Sequence, residues 1–212
     1  MAGGIMDIRK AGLITGGVYH DFQAFTSSVK PLFEGSGYAL VPIDALSLTP
    51  GSITGTEMIC MYTCCNEKGP GYIDEDAAKA LDAYVKNGGR ILAVHSTTVN
   101  AKTNPVLRSV LGGVFVTHPP KCSFQVVPCY PPSPITEGVA SFTLEDELYI
   151  EAADPGASIH MVALHESNAY PVVWSRIDGK GKVVHIALGH DLPVWENGSF
   201  RKLMKQAIEW LG

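Results

Sequence analysis

The stretch "DEDAAKALDAYVKNGGRILAVHS", residues 74–96, decides the fold. Its first half sets Ala77, Ala78, Leu81, Tyr84 and Val85 at helical spacing, with Asp74 as N-cap and Gly88-Gly89 as the stop. Its second half, "RILAVHS" (90–96), changes character to a short apolar run, as a strand covered on both faces requires. The same alternation recurs upstream. "AGLITGG" (11–17), "YALVPID" (38–44) and "EMICMYT" (57–63) read as strands, and residues 21–34 as a helix capped by Asp21, with Gly35 just past its end. Strand–helix alternation of this kind predicts a parallel sheet with helices on both faces.

The second half of the chain differs. "GVFVTHPP", "CSFQVVP", "DELYIEAA", "SIHMVALHE", "YPVVWSRI" and "GKVVHIAL" are strand-like with little helix between them, and the proline-rich residues 128–142 read as an ordered crossing loop. They predict extra antiparallel strands followed by a return to the main sheet. A final helix over 199–211 puts Phe200, Leu203, Met204, Ala207, Ile208 and Leu211 on one face. No repeat or linker divides the chain, so residues 1–212 are read as one α/β domain.

Bulk composition narrows the function classes. With 46% hydrophobic and 17% charged residues the chain can bury a sizeable core. A net charge of -5 excludes the basic footprint of a nucleic-acid binder. No apolar run reaches the roughly 20 residues that span a membrane, and the N-terminus lacks a secretory signal pattern. Five cysteines, an odd number without CxxC spacing, read as reduced thiols of a cytoplasmic protein rather than a disulfide framework or thiolate zinc site. Neither G-x-G-x-x-G nor a Walker pattern occurs, so no nucleotide cofactor is expected.

Ligands of open α/β sheets bind beyond the carboxyl ends of the strands. Four of the seven histidines fall just there: His20 after the first strand, His95 after "RILAV", His118 after "GVFVT" and His190 after "GKVVHIAL". His20 and His190 each precede an aspartate, Asp21 and Asp191, a pattern that serves turn capping as well. His185, inside a strand, reads as core. Strict alternation along "LEDELYIEA" sets Glu145, Glu147, Tyr149 and Glu151 on one face and Asp146, Leu148 and Ile150 on the other. Such a face is either solvated or turned into a cleft. Imidazole with carboxylate suits zinc or a similar divalent ion, and neutral histidine also suits proton transfer near pH 7. Ser96, Cys64 and Cys65 also follow strands, but no G-x-S-x-G elbow surrounds Ser96.

The blocks "LITGGVYHDF", "DAYVKNGGRILAVHS", "LGGVFVTHPP", "PITEGVASFTLEDELY", "PVVWSRIDGKGKVVHIALGHD" and "VWENGSFRKLMKQAIEWL" resemble the trehalose-utilization (ThuA-like) family, in the family's order from about residue 11 to the end. The resemblance implies membership of the class I glutamine amidotransferase-like superfamily. It thus implies a flavodoxin-like three-layer α/β/α fold with a mainly parallel sheet. Carried over block by block, the cleft holds His20, Asp21, His95, Ser96, His118, Glu147, Tyr149, His190 and Asp191. The amidotransferases of that superfamily use a cysteine where this chain has His95-Ser96, so glutamine hydrolysis is not expected.

The resemblance implies a part in carbohydrate utilisation, on trehalose or a keto-sugar. On that reading His190, oriented by Asp191, works with Glu147, His95 and Ser96 as the catalytic group. Asp21, Tyr149 and Trp195 face the sugar, and His20 and His118 hold a divalent metal such as zinc. Two other readings stay open: a non-catalytic sugar-binding or regulatory module, and a hydrolase dependent on Cys64, Cys65 or Ser96. Partners are expected to be a small sugar, with no nucleic acid and no membrane. A homo-oligomer is left open.

Overall fold

A computed structural model describes residues 8–65 and 68–212. Strand β1 (Arg9–Gly17) leads into helix α1 (Phe22–Gly35), whose N-cap is Asp21: its carboxylate accepts the Ala24 N–H at 2.9 Å. Strands β2 (Tyr38–Pro42) and β3 (Met58–Cys64) follow, then helix α2 (Glu75–Lys86), capped by Asp74 on the Ala77 N–H at 2.8 Å. Strand β4 (Arg90–Val94) stops two residues before the predicted end, because residues His95–Lys102 wind into a 3-10 helix. Helix α3 (Pro105–Leu111) completes the first half.

The second half supplies β5 (Gly113–Thr117), β6 (Cys122–Pro128), β7 (Phe142–Asp146), β8 (Ile150–Ala153), β9 (Ser158–His165), β10 (Asn168–Asp178) and β11 (Gly181–Ile186). A short helix α4 (Leu192–Trp195) and the terminal helix α5 (Gly198–Leu211) close the chain. The main sheet runs β2-β1-β3-β4-β11-β10-β9-β6-β7. Its first five strands are parallel neighbours, and from β11 onward every pairing is antiparallel. The order 2-1-3-4 is the doubly wound, flavodoxin-like one, with β11 as the returning fifth strand. The extra strands extend that same sheet, while β5 and β8 pair apart from it.

Alternation along each parallel strand feeds two cores. Cys60, Leu92 and Val184 face α1 and α5, against Phe25, Phe33, Phe200 and Leu203. Ile59, Ile91 and Val183 face α2 and α3, against Leu81, Val85, Leu107 and Val110. Both faces of these strands are thus dry, which is why they read as unbroken apolar runs.

One predicted element breaks. "DELYIEAA" is not a single strand: β7 ends at Asp146, β8 begins at Ile150, and residues 147–149 join them outside either ladder. The expected shared face of Glu145, Glu147, Tyr149 and Glu151 therefore does not form. Glu145 is exposed, Tyr149 and Glu151 are buried, Glu147 is half-buried, and Asp146 on the opposite set is wholly buried. Alternation holds only while a backbone stays extended, and here it turns.

Candidate functional site

Four strand ends converge on one point above the sheet. His20 comes from the loop after β1, His95 from the end of β4, His190 from the loop after β11, and Glu147 from the turn after β7. One nitrogen or oxygen from each lies within 4.8 Å of all the others. The His20 ring centroid stands 5.1 Å from that of His95 and 4.9 Å from that of His190. Glu147 Oε2 lies 3.1 Å from His190 Nδ1, without the alignment of a hydrogen bond, and 3.6 Å from His95 Nε2.

His95 is held in a backbone conformation that side chains other than glycine rarely take, φ +47°. The sharp turn of an α/β nucleophile elbow is thus present, with an imidazole at its tip. The residues after it lock the turn. Thr97 Oγ1 donates to the Met61 carbonyl at 2.8 Å, Asn100 Nδ2 donates to Thr63 Oγ1 at 2.7 Å, and Thr98 Oγ1 donates to Glu151. His95 Nδ1 meets the Ala187 carbonyl at 2.7 Å, which fixes the proton there and leaves the Nε2 lone pair facing the other donors.

The polar atoms turned inward are otherwise unanswered. His20 Nδ1 and Nε2, His95 Nε2 and His190 Nδ1 are all buried with no hydrogen-bond partner. Buried polar atoms are normally paired, and a cluster of convergent lone pairs is the arrangement a cation satisfies. Burial, followed by the neighbouring His95 and His190, lowers the His20 pKa to about 3, so its ring is neutral at pH 7. Burial would raise the Glu147 carboxyl, but the adjoining His190 and His95 imidazoles outweigh it and hold it well below the usual carboxylate range. Glu147 in turn raises the pKa of His190 against the effect of burial. Three imidazoles and one carboxylate can therefore hold a metal ion here.

Behind the donors lie two buried carboxylates. Asp146 accepts the N–H groups of Glu147 at 2.9 Å, Gly189 at 2.8 Å and His190 at 3.1 Å. From the other side the Tyr62 hydroxyl contacts the carbonyls of Gly189 and His190, at 3.0 and 3.2 Å. Gly189 itself has φ +120°, open to glycine and strained for any other residue. Glu151 joins Thr98 to His185, whose Nε2 lies 2.8 Å from its second oxygen, and both side chains are fully buried. His185 is thus core, as its place inside a strand predicts.

The remaining expected residues sit differently. His118 lies outside the four-donor group. Its exposed ring stacks at 5.4 Å and 19° on Tyr149, whose ring in turn packs 4.1 Å from His95. Asp191 does not orient His190: its carboxylate is taken by Lys121 at 2.5 Å. Asp21 spends its carboxylate on the α1 cap. Trp195 is only 2% exposed, packs on Phe25 and Tyr62, donates its indole N–H to the Gly189 carbonyl, and lines the cavity floor with His20 and His190. Ser96 is fully buried beneath His95 and is not presented as a nucleophile. Neither Asp146 nor Tyr62 carries a sequence signal that marks it out.

A cavity of about 310 Å³ opens over His20, Asp21, His190 and Asp191, and a second of about 390 Å³ reaches Gly17, Cys64 and Lys68 past the shared Tyr19. Larger hollows of about 570 and 690 Å³ lie at the opposite strand ends, around Arg90 and Arg9, and no histidine or cysteine lines them.

Cys64 is half-buried beside this cleft, and burial, then the neighbouring Cys65, raises its thiol pKa to about 11. A nucleophilic cysteine needs the reverse. Alkylation of Cys64, followed by peptide mapping, is expected to be slow at pH 7 and to quicken roughly tenfold per pH unit up to about pH 10. Fast, pH-independent labelling at pH 7 would restore the cysteine-hydrolase reading.

Comparison with known proteins bears on this geometry. The family described as ThuA, trehalose utilisation, matches residues 14–211. A ThuA-like protein from Bacteroides uniformis superposes with TM-score 0.75 at 21% identity, covering 96% of this chain and 91% of that one. A ThuA-like protein from Parabacteroides merdae gives TM-score 0.78 at 16% identity, covering 96% and 89%. A cold-adapted β-galactosidase from Rahnella sp. R3 gives 0.67 at 16%, covering 98% of this chain but 32% of that one, so the likeness is to part of a larger protein. At these identities the likeness is one of fold. Comparison with curated proteins finds no match.

Proposed function

Given that the chain belongs to the ThuA (trehalose utilisation) family, we propose that it is a metal-dependent enzyme of sugar or keto-sugar utilisation, working in the cleft above the strand ends. The observation that carries this reading is the convergence of His20, His95, Glu147 and His190, with their inward nitrogens unpartnered. The imidazole-rich donor set favours zinc or another first-row divalent ion. Such an ion, when bound, polarises a carbonyl or hydroxyl oxygen of the sugar.

The chain's own groups supply the rest. His118 contacts the Pro119 carbonyl through Nδ1 at 2.9 Å, which leaves Nε2 of this exposed ring available to take up and return a proton. Its exposed ring, backed by the buried Tyr149, offers a face against which a sugar ring can lie. The Asp191–Lys121 pair ties the β5–β6 loop to the His190 loop and closes one side of the cleft. Five free cysteines accord with a cytoplasmic protein. No helix among the described residues is long and apolar enough to cross a membrane.

The test is turnover of a panel of disaccharides and keto-sugars, followed by NMR in D2O with metal-loaded and chelator-treated protein. Metal-dependent loss of substrate, or deuterium uptake beside the carbonyl, is the expected result. Binding without turnover in the loaded protein would move the chain to the sugar-binding module class instead.

A further inference from the structure

We infer that Asp146 is the positioning residue of the metal site, fixing Glu147 and His190 relative to one another; this rests on the metal reading above. All four donors stand just outside the strand ladders. Glu147 lies between β7 and β8, and His190 lies between β11 and α4. The Asp146 carboxylate ties the two main chains together, accepting the N–H of Glu147, of His190 and of Gly189 just before it. Asp146 is 0% exposed, so water does not compete for those N–H groups.

The placement also follows from topology. Asp146 ends β7, the far edge of the antiparallel half, while His190 follows β11 in the parallel half. The carboxylate is where the two halves of the sheet meet at the site. The Tyr62 hydroxyl holds the same Gly189–His190 segment by its carbonyls, so the peptide is gripped from both sides. An acceptor-only group is required. The amide of an Asp146→Asn side chain has one acceptor oxygen and would set an NH2 against a backbone N–H.

The experiment compares cobalt(II) binding and the visible d–d spectrum in the wild type, Asp146→Asn and a control on the same strand, Leu144→Ala. Leu144 is a core residue of β7 and touches no donor, so its loss lowers stability alone. Asp146→Asn is expected to weaken cobalt binding about 10–100-fold and alter the spectrum, as loss of an outer-shell partner does. Leu144→Ala should keep both. Equal affinity and an unchanged spectrum in Asp146→Asn would overturn the inference, as would an equal loss in Leu144→Ala.

If Asp146→Asn does not fold, Asp146→Glu keeps the charge but displaces it by one methylene, and the same loss is expected. If the wild type takes up no cobalt, it is the metal reading that fails. Asp146 is then judged by the histidine ring nitrogen shifts of the metal-free protein. Movement of His190 but not of the distant His165 supports positioning, and no movement overturns it.

Discussion

His190→Ala is expected to lower metal affinity by well over the roughly 100-fold that marks the upper end for outer-shell changes, and to abolish the metal-induced rise in melting temperature. The imidazole is one of four converging donors, and its removal leaves three. The fold should nevertheless survive. The ring is half-buried, and Nδ1 has no aligned hydrogen-bond partner. Without metal, the melting temperature of His190→Ala should fall by only a few degrees, because the change removes one half-buried imidazole and its contact with Glu147. A large fall in that temperature would mean that His190 serves the core rather than the site.

Glu151→Ala should have the opposite profile. The carboxylate joins Thr98, on the turn that carries His95, to His185 in β11, with both the His185 and Glu151 side chains fully buried. Deleting one member strands the others in a dry interior. Breaking such a buried pair costs about 3–5 kcal/mol. For a chain of this size each kcal/mol corresponds to about 2–4 °C, so the midpoint should drop by about 6–20 °C. Thermal unfolding checks this directly. A loss below about 1 kcal/mol would mean that water or neighbouring groups replace the carboxylate without penalty.

These two residues also mark where sequence reading succeeds and stops. His20, His95 and His190 are legible because each follows a strand whose apolar run is unmistakable, and parallel strands end on one side of a sheet. The capped helices α1 and α2 are legible for the same local reasons: Asp21 and Asp74 accept the predicted N–H groups. Glu151 is hidden because alternation assumes an unbroken strand, whereas the backbone turns after Asp146. That turn brings Asp146 and Glu147 inward together. The polar run "HSTTVNA" (95–101) is likewise buried in full, with its threonine hydroxyls and the Asn100 amide bonded to Met61, Glu151 and Thr63 from distant parts of the chain. No periodicity announces contacts of that kind. Trp195 and Asp191 do line the cavity with His20 and His190, but their polar atoms are held by Gly189 and Lys121, which no strand-end pattern announces.

The central claim is that three histidines and one glutamate share a metal ion. X-ray absorption at the metal edge of the loaded protein tests it most directly. One ion per chain is predicted, with imidazole nitrogens at about 2.0–2.1 Å and carboxylate oxygen at a similar distance. The His20→Ala and His190→Ala variants should each lack one imidazole shell. A sulfur shell near 2.3 Å, which would bring in Cys64 or Cys65, or a protein that retains no ion at all, would contradict it.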